Sequence, residues 1–70
     1  MNKIESPMPG NILDVNVNVG DTVTEDQLLC ILEAMKMENE IFSPFAGTVT
    51  GVHVKKGDVV DTGALMFTIE

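Results

Sequence analysis

Shifting the chain by 37 positions lays Ser6 to Glu33 over Ser43 to Glu70 without a gap, and ten of the 28 pairs are identical. They are Ser6/Ser43, Pro7/Pro44, Gly10/Gly47, Val15/Val52, Val17/Val54, Gly20/Gly57, Asp21/Asp58, Val23/Val60, Leu28/Leu65 and Glu33/Glu70. Most other pairs keep their apolar or polar character. Two copies of this length are too few and too short for a solenoid, so the repeat predicts one domain, residues 1–70, made of two related halves around a pseudo-twofold. Nine residues, Ala34 to Phe42, join the copies, and Lys36 stands near the start of that joint.

Chain length and charge narrow the setting. Seventy residues make one core at the lower limit of what burial alone stabilises. Cys30 is the only cysteine and His53 the only histidine. An internal disulfide is therefore impossible, a structural zinc site is unexpected, and a reducing, cytoplasmic setting is expected. No apolar run reaches membrane-spanning length and no signal segment opens the chain, so membrane insertion is not expected. Four lysines against eleven acids leave a net charge of −7, which repels phosphate backbones and makes nucleic acid an unexpected partner.

Periodicity and turn residues predict an all-β fold. Val15, Val17 and Val19 alternate with Asn16 and Asn18, and Val52 and Val54 flank His53, the period of half-buried strands. In both copies the apolar phase slips, from Ile12 to Val15 and from Val49 to Val52, so a bulge or bend is expected near Asp14 and Gly51. Gly20-Asp21 and Gly57-Asp58 mark turns; Ser6 to Gly10 and Ser43 to Gly47 mark loops stiffened by Pro7, Pro9 and Pro44. Leu28 to Glu33 and Leu65 to Glu70 read as apolar strands. Four short strands per half predict a small antiparallel sandwich or flattened barrel, with Cys30 in its core and His53 on its surface.

Around Lys36, propensity and symmetry disagree. Glu33-Ala34-Met35-Lys36-Met37 is rich in helix formers. Yet Leu28 to Glu33 repeats as the strand at the chain's end, which leaves only a few residues for the connection. A hairpin turn fits that space and a helix does not. A two-residue hairpin needs positive φ at its centre, and Met-Lys is a costly choice there, so the turn is expected to hold strain for a functional reason.

The run Glu33-Ala34-Met35-Lys36-Met37, centred in this duplicated frame and reinforced by Ser6-Pro7-Met8-Pro9-Gly10 and the two Gly-Asp turns, resembles the biotinyl (biotin carboxyl carrier) domains of biotin-dependent carboxylases, decarboxylases and transcarboxylases. The resemblance covers essentially the whole chain. It implies a flattened β-barrel or sandwich of two four-stranded antiparallel sheets with pseudo-twofold symmetry, a barrel-sandwich hybrid, with Lys36 on a protruding hairpin. It further implies a non-catalytic carrier in which biotin protein ligase joins biotin to Lys36 as an amide. The partners would be a biotin carboxylase and a carboxyltransferase or decarboxylase, and the parent is expected to be a longer subunit with this domain at its carboxy-terminal end. Lipoyl domains share the scaffold but typically carry Asp-Lys-Ala at the turn, so Met35 and Met37 favour biotin. Some bacterial acetyl-CoA carboxylase domains carry an extra segment between the first loop and the first Gly-Asp turn. Gly10 to Gly20 spans ten positions, as does Gly47 to Gly57, so no such insertion is present. The expected parent is of the propionyl-CoA carboxylase, oxaloacetate decarboxylase or transcarboxylase type.

Each site residue also has a plainer role open to it. Lys36 could be an ordinary solvated hairpin lysine, as Lys3, Lys55 and Lys56 are expected to be ordinary surface charges. Met35 and Met37 could pack on the sheet, but adaptable contacts to a ligase or to biotin suit exposed thioethers better. Ala34 and Glu33 complete the recognition run, while Glu33, Glu38 and Glu40 gather acid near the tip. Glu33 recurs as Glu70, which makes a solvated strand end its simplest reading. Two other functions remain open: a lipoyl carrier, and an unmodified adaptor that only binds protein.

Overall fold

The computed structural model describes residues 2–70. Its eight strands are β1 (Asn2–Glu5), β2 (Gly10–Val15), β3 (Thr22–Val23), β4 (Leu28–Ala34), β5 (Met37–Phe42), β6 (Gly47–Val52), β7 (Val59–Val60) and β8 (Leu65–Ile69). They form two four-stranded antiparallel sheets, in the orders β1-β8-β6-β3 and β5-β4-β2-β7. Adding four to each strand number in the first half converts one order into the other. The duplication is thus a spatial pseudo-twofold that exchanges the two sheets, and each sheet takes two strands from each half.

The symmetry extends to single hydrogen bonds. Gly20 N donates to Val49 O as Gly57 N donates to Ile12 O, and Ser6 N donates to Ala64 O as Ser43 N donates to Gln27 O. The predicted phase slip is present twice: register shifts between Ile12 and Asp14 in β2 and between Val49 and Gly51 in β6. A second symmetric pair of irregularities leaves Leu29 and Met66 without a direct partner across the ladder. These bulges add twist and curl each sheet toward the other.

Between the sheets lie Ile12, Leu29, Leu32, Val49, Met66, Phe67 and Ile69, all essentially inaccessible to solvent, with Val17, Val23 and Cys30 beside them. Burial in this apolar layer pushes the Cys30 thiol up to about 11, because a thiolate there would lose its hydration. His53 is exposed.

One expectation fails. The alternating valines beyond Val15 do not continue a strand, because β2 ends at Val15 and β6 at Val52. Val17 is buried, but Val19 is 63% exposed. The chain leaves the ladder here to build a turn: Asn18 N donates to Asp21 Oδ2 at 2.8 Å, and Asp21 N to Asn18 O at 3.1 Å. Lys55 and Asp58 repeat both bonds in the second half. Local capping by an aspartate therefore outcompetes the pleated alternation.

Asn2 pairs with Ile69 in the β1–β8 ladder. The two ends of the described chain thus lie together, in the sheet that does not carry the Lys36 hairpin.

Candidate attachment site at the hairpin tip

β4 and β5 pair in an unbroken register from Ile31↔Glu40 through Leu32↔Asn39 and Glu33↔Glu38 to Ala34↔Met37. That leaves Met35 and Lys36 as the two residues of the turn, with φ of 55° and 61°. Positive φ at both central positions is the type I′ hairpin, whose twist matches that of its flanking strands. Residues with a Cβ lose roughly 1–2 kcal/mol each in this region relative to ordinary backbone. A helix over Glu33 to Glu40 is excluded by the ladder itself.

The side chains divide sharply at the tip. Leu32 and Ala34 point inward and are buried, anchoring β4 to the core. Met35 is 91% exposed and Met37 66% exposed, and Lys36 between them is exposed as well. The methionines therefore do not pack on the sheet. Glu33 is half-buried, and directly opposite it Glu38 is exposed. Their placement as cross-strand neighbours sets two like charges side by side on the outer face, a mildly destabilising pairing.

Two residues that sequence reasoning did not assign hold this tip in place. Gly10, at the start of β2, lies under β4 so closely that a Cβ built on it would stand 2.3 Å from Glu33 O and 3.0 Å from Leu32 Cδ1. Only glycine admits that approach. Its equivalent Gly47 meets Glu70 O in the same way, at 2.4 Å. The recurrence of Gly at the same place in both copies was the available signal. Asn39 is the second brace: its Nδ2 donates to Met37 O at 3.2 Å and to Leu32 O at 3.4 Å. An asparagine in mid-strand was a weak signal for this.

The hairpin and β2 enclose a shallow groove of about 360 Å³ beside Lys36, lined by Pro9, Gly10, Asn11, Glu33, Ala34 and Met35. Four of the five residues of the run, Glu33 to Lys36, therefore border one open surface, and Met37 lies outside it. Lys36 itself extends from a turn whose backbone is pinned on both sides, so its amine is free while its base is not.

A duplicated sandwich that presents one exposed lysine from a constrained two-residue turn is built as a carrier domain, with a rigid body and a free arm. Comparison with known proteins places it. The family model described as "Biotin-requiring enzyme" matches residues 2–69, and the chain belongs to that family as a biotinyl domain. The chain is 72% identical over 40 residues to a biotin carboxyl carrier protein of Streptococcus mutans, covering 57% of this chain and 31% of that protein. It is 60% identical over 38 residues to the glutaconyl-CoA decarboxylase gamma subunit of Acidaminococcus fermentans, covering 54% and 26%. The Kluyveromyces lactis urea carboxylase structure superposes with a TM-score of 0.90 at 30% identity, covering 99% of this chain and 6% of that one. In each case the match spans less than a third of the relative's own length.

Among the described residues, no helix is long and apolar enough to cross a membrane.

Proposed function

We propose that Lys36 is the residue to which biotin is joined, and that the domain carries a carboxyl group between the active site of a biotin carboxylase and that of a carboxyltransferase or decarboxylase. The observation that carries this reading is the tip itself: an exposed lysine at φ 61° in a turn that glycine or asparagine would form at lower cost. The site fits the group, because Lys36 is exposed at the tip of the hairpin on a turn whose backbone is fixed. Attachment requires the Lys36 ammonium to give up a proton; its nitrogen then attacks the carbonyl of biotinyl-adenylate, the acyl–phosphate bond breaks and AMP leaves, with a biotin protein ligase supplying both the base and the adenylate. When bound, biotin supplies a ureido nitrogen that accepts and releases the carboxyl group. The chain's own part is mechanical. Met35 and Met37 present apolar contact area to the ligase, Ala34 anchors the turn to the core, and Glu33 shapes the groove wall. A tethered arm raises effective concentration at both active sites without adding any contact.

The domain is non-catalytic in this reading, acts in the cytoplasm, and serves a parent of the propionyl-CoA carboxylase, decarboxylase or transcarboxylase type. Intact mass after co-expression with a biotin ligase tests it. One biotinyl group is expected, mapped to Lys36 and taking the net charge from −7 to −8. Lys36→Arg should remain unmodified, because a guanidinium stays protonated. Streptavidin capture of that variant, biotin on Lys55, or a lipoyl mass in place of biotin would overturn the proposal.

A further inference from the structure

Away from the hairpin, a groove of about 400 Å³ runs along the pseudo-twofold between the free edges of the two sheets. Its walls are symmetry pairs. Ile4 with Ile41 and Pro7 with Pro44 repeat the same residue on both sides, so these positions suit the scaffold in either copy. The other two pairs break the symmetry: Lys3 stands opposite Glu40, and Glu5 opposite Phe42. Phe42 is 47% exposed. The first copy folds with a glutamate in that place, so the sandwich does not require an aromatic there. A half-exposed phenylalanine beside two isoleucine-proline pairs makes the groove mostly apolar.

The groove also offers backbone. β1 and β5 are the outer strands of their sheets, and β5, with six residues, is the longest edge in the molecule. An edge carries unpaired N–H and C=O groups that can receive another strand. Charge selects which strand. β5 bears Glu38 and Glu40, and β1 adds Glu5 against the single Lys3. A second copy of this chain, itself at −7, would set acid against acid along the edge, which is how edge strands avoid pairing with themselves. A cationic strand meets no such barrier.

We propose that this axial groove is a docking site for an extended, alternating cationic and apolar segment of a partner protein, which adds as a strand to the β5 edge and places an apolar side chain against Phe42. The site does not depend on Lys36 being modified.

Backbone amide NMR tests it with a capped peptide, Lys-Val-Lys-Val-Lys-Val, and an otherwise equal Glu-Val-Glu-Val-Glu-Val control. The lysine peptide is expected to shift the amides of residues 3–5 and 38–42 and leave those of Gly20 and Gly57 in place. Phe42→Glu restores the residue of the other copy. It adds negative charge, yet should weaken binding about tenfold through the lost apolar contact. Shifts spread over all acidic surfaces, unchanged or stronger binding by Phe42→Glu, equal binding of the glutamate peptide, or a dimer of the free protein in sedimentation equilibrium would each overturn it. Biotinylation of Phe42→Glu by mass should equal that of the unaltered chain, which separates failure at this groove from failure at Lys36.

Discussion

The chain needs a positive φ at six described positions and meets the need in two different ways. At Gly20, Gly57 and Gly63 it uses glycine, with φ of 96°, 95° and 85°. Open space surrounds all three positions, so glycine is there for its backbone and not for its size. Asp26, the symmetry partner of Gly63, reaches φ 70° with a residue type that tolerates this region better than most. At the hairpin tip the chain instead places Met35 and Lys36, two residues with no such tolerance. Four of the five turns are therefore solved in favour of the fold, and the fifth is solved against it. The difference teaches that the backbone of this turn does not by itself account for Met35 and Lys36.

Replacing glycine where space is the constraint should have the largest effect on stability. Gly10→Ala puts a methyl group into the Glu33 carbonyl and should cost about 3 kcal/mol in urea unfolding, with Gly47→Ala alike. If Gly10→Ala alone is tolerated, the packing beneath the tip differs from its copy and the symmetry argument weakens.

The two halves also differ in the core, where Cys30 occupies the place of Phe67. The Cys30 thiol is raised from 9.0 to about 11 in the folded state. Between those values the unfolded chain holds a thiolate and the folded chain a thiol. Stability should therefore fall as pH rises from about 9 toward about 11, by roughly 2 to 3 kcal/mol at the upper end. Cys30→Ala should remove this slope whatever it does to stability at pH 7. An unchanged slope would show that other groups titrate there.

Relieving the tip should act in the opposite direction. Met35→Asn combined with Lys36→Gly supplies the preferred type I′ pair and should raise stability by about 1–2 kcal/mol, while leaving no amine to modify. A loss of stability would mean that Met35 and Lys36 contribute to the fold after all.

The smallest effect sharpens the comparison between turns. Asp26→Gly should stabilise by a few tenths of a kcal/mol, and Gly63→Ala should destabilise by about 1 kcal/mol, both read by thermal unfolding. Equal and opposite changes would show that the two turns are equivalent apart from their residue.

Much of this site could be read before any coordinates. The gapless repeat located the joint, and the shortness of the joint excluded a helix despite the helix-forming run from Glu33 to Met37. Lys36 and both methionines were placed at the tip by the same reasoning. Gly10 and Asn39 were not, because the contact of Gly10 with Glu33 and the reach of Asn39 to Leu32 O are made across strands, and residue type alone does not specify a partner. Val17 and Val19 misled for a related reason: their alternation is a local signal, and the Asn18–Asp21 turn that overrides it depends on hydrogen bonds that periodicity does not register.

By itself, then, the sequence determined the all-β class, the duplication, the bulges near Asp14 and Gly51 and the turn that carries Lys36, all of which depend on patterns within a few residues or on the comparison of one copy with the other. Only the tertiary structure decided that each sheet takes two strands from each half. It alone brought β1 and β5 together along the axis, and it alone turned Phe42 toward a groove where its counterpart is Glu5. Those outcomes depend on which distant strands pair. Strand pairing is settled by the joint burial of Ile12, Leu29, Leu32, Phe67 and Ile69 between two curved sheets, a collective energy that no single segment encodes.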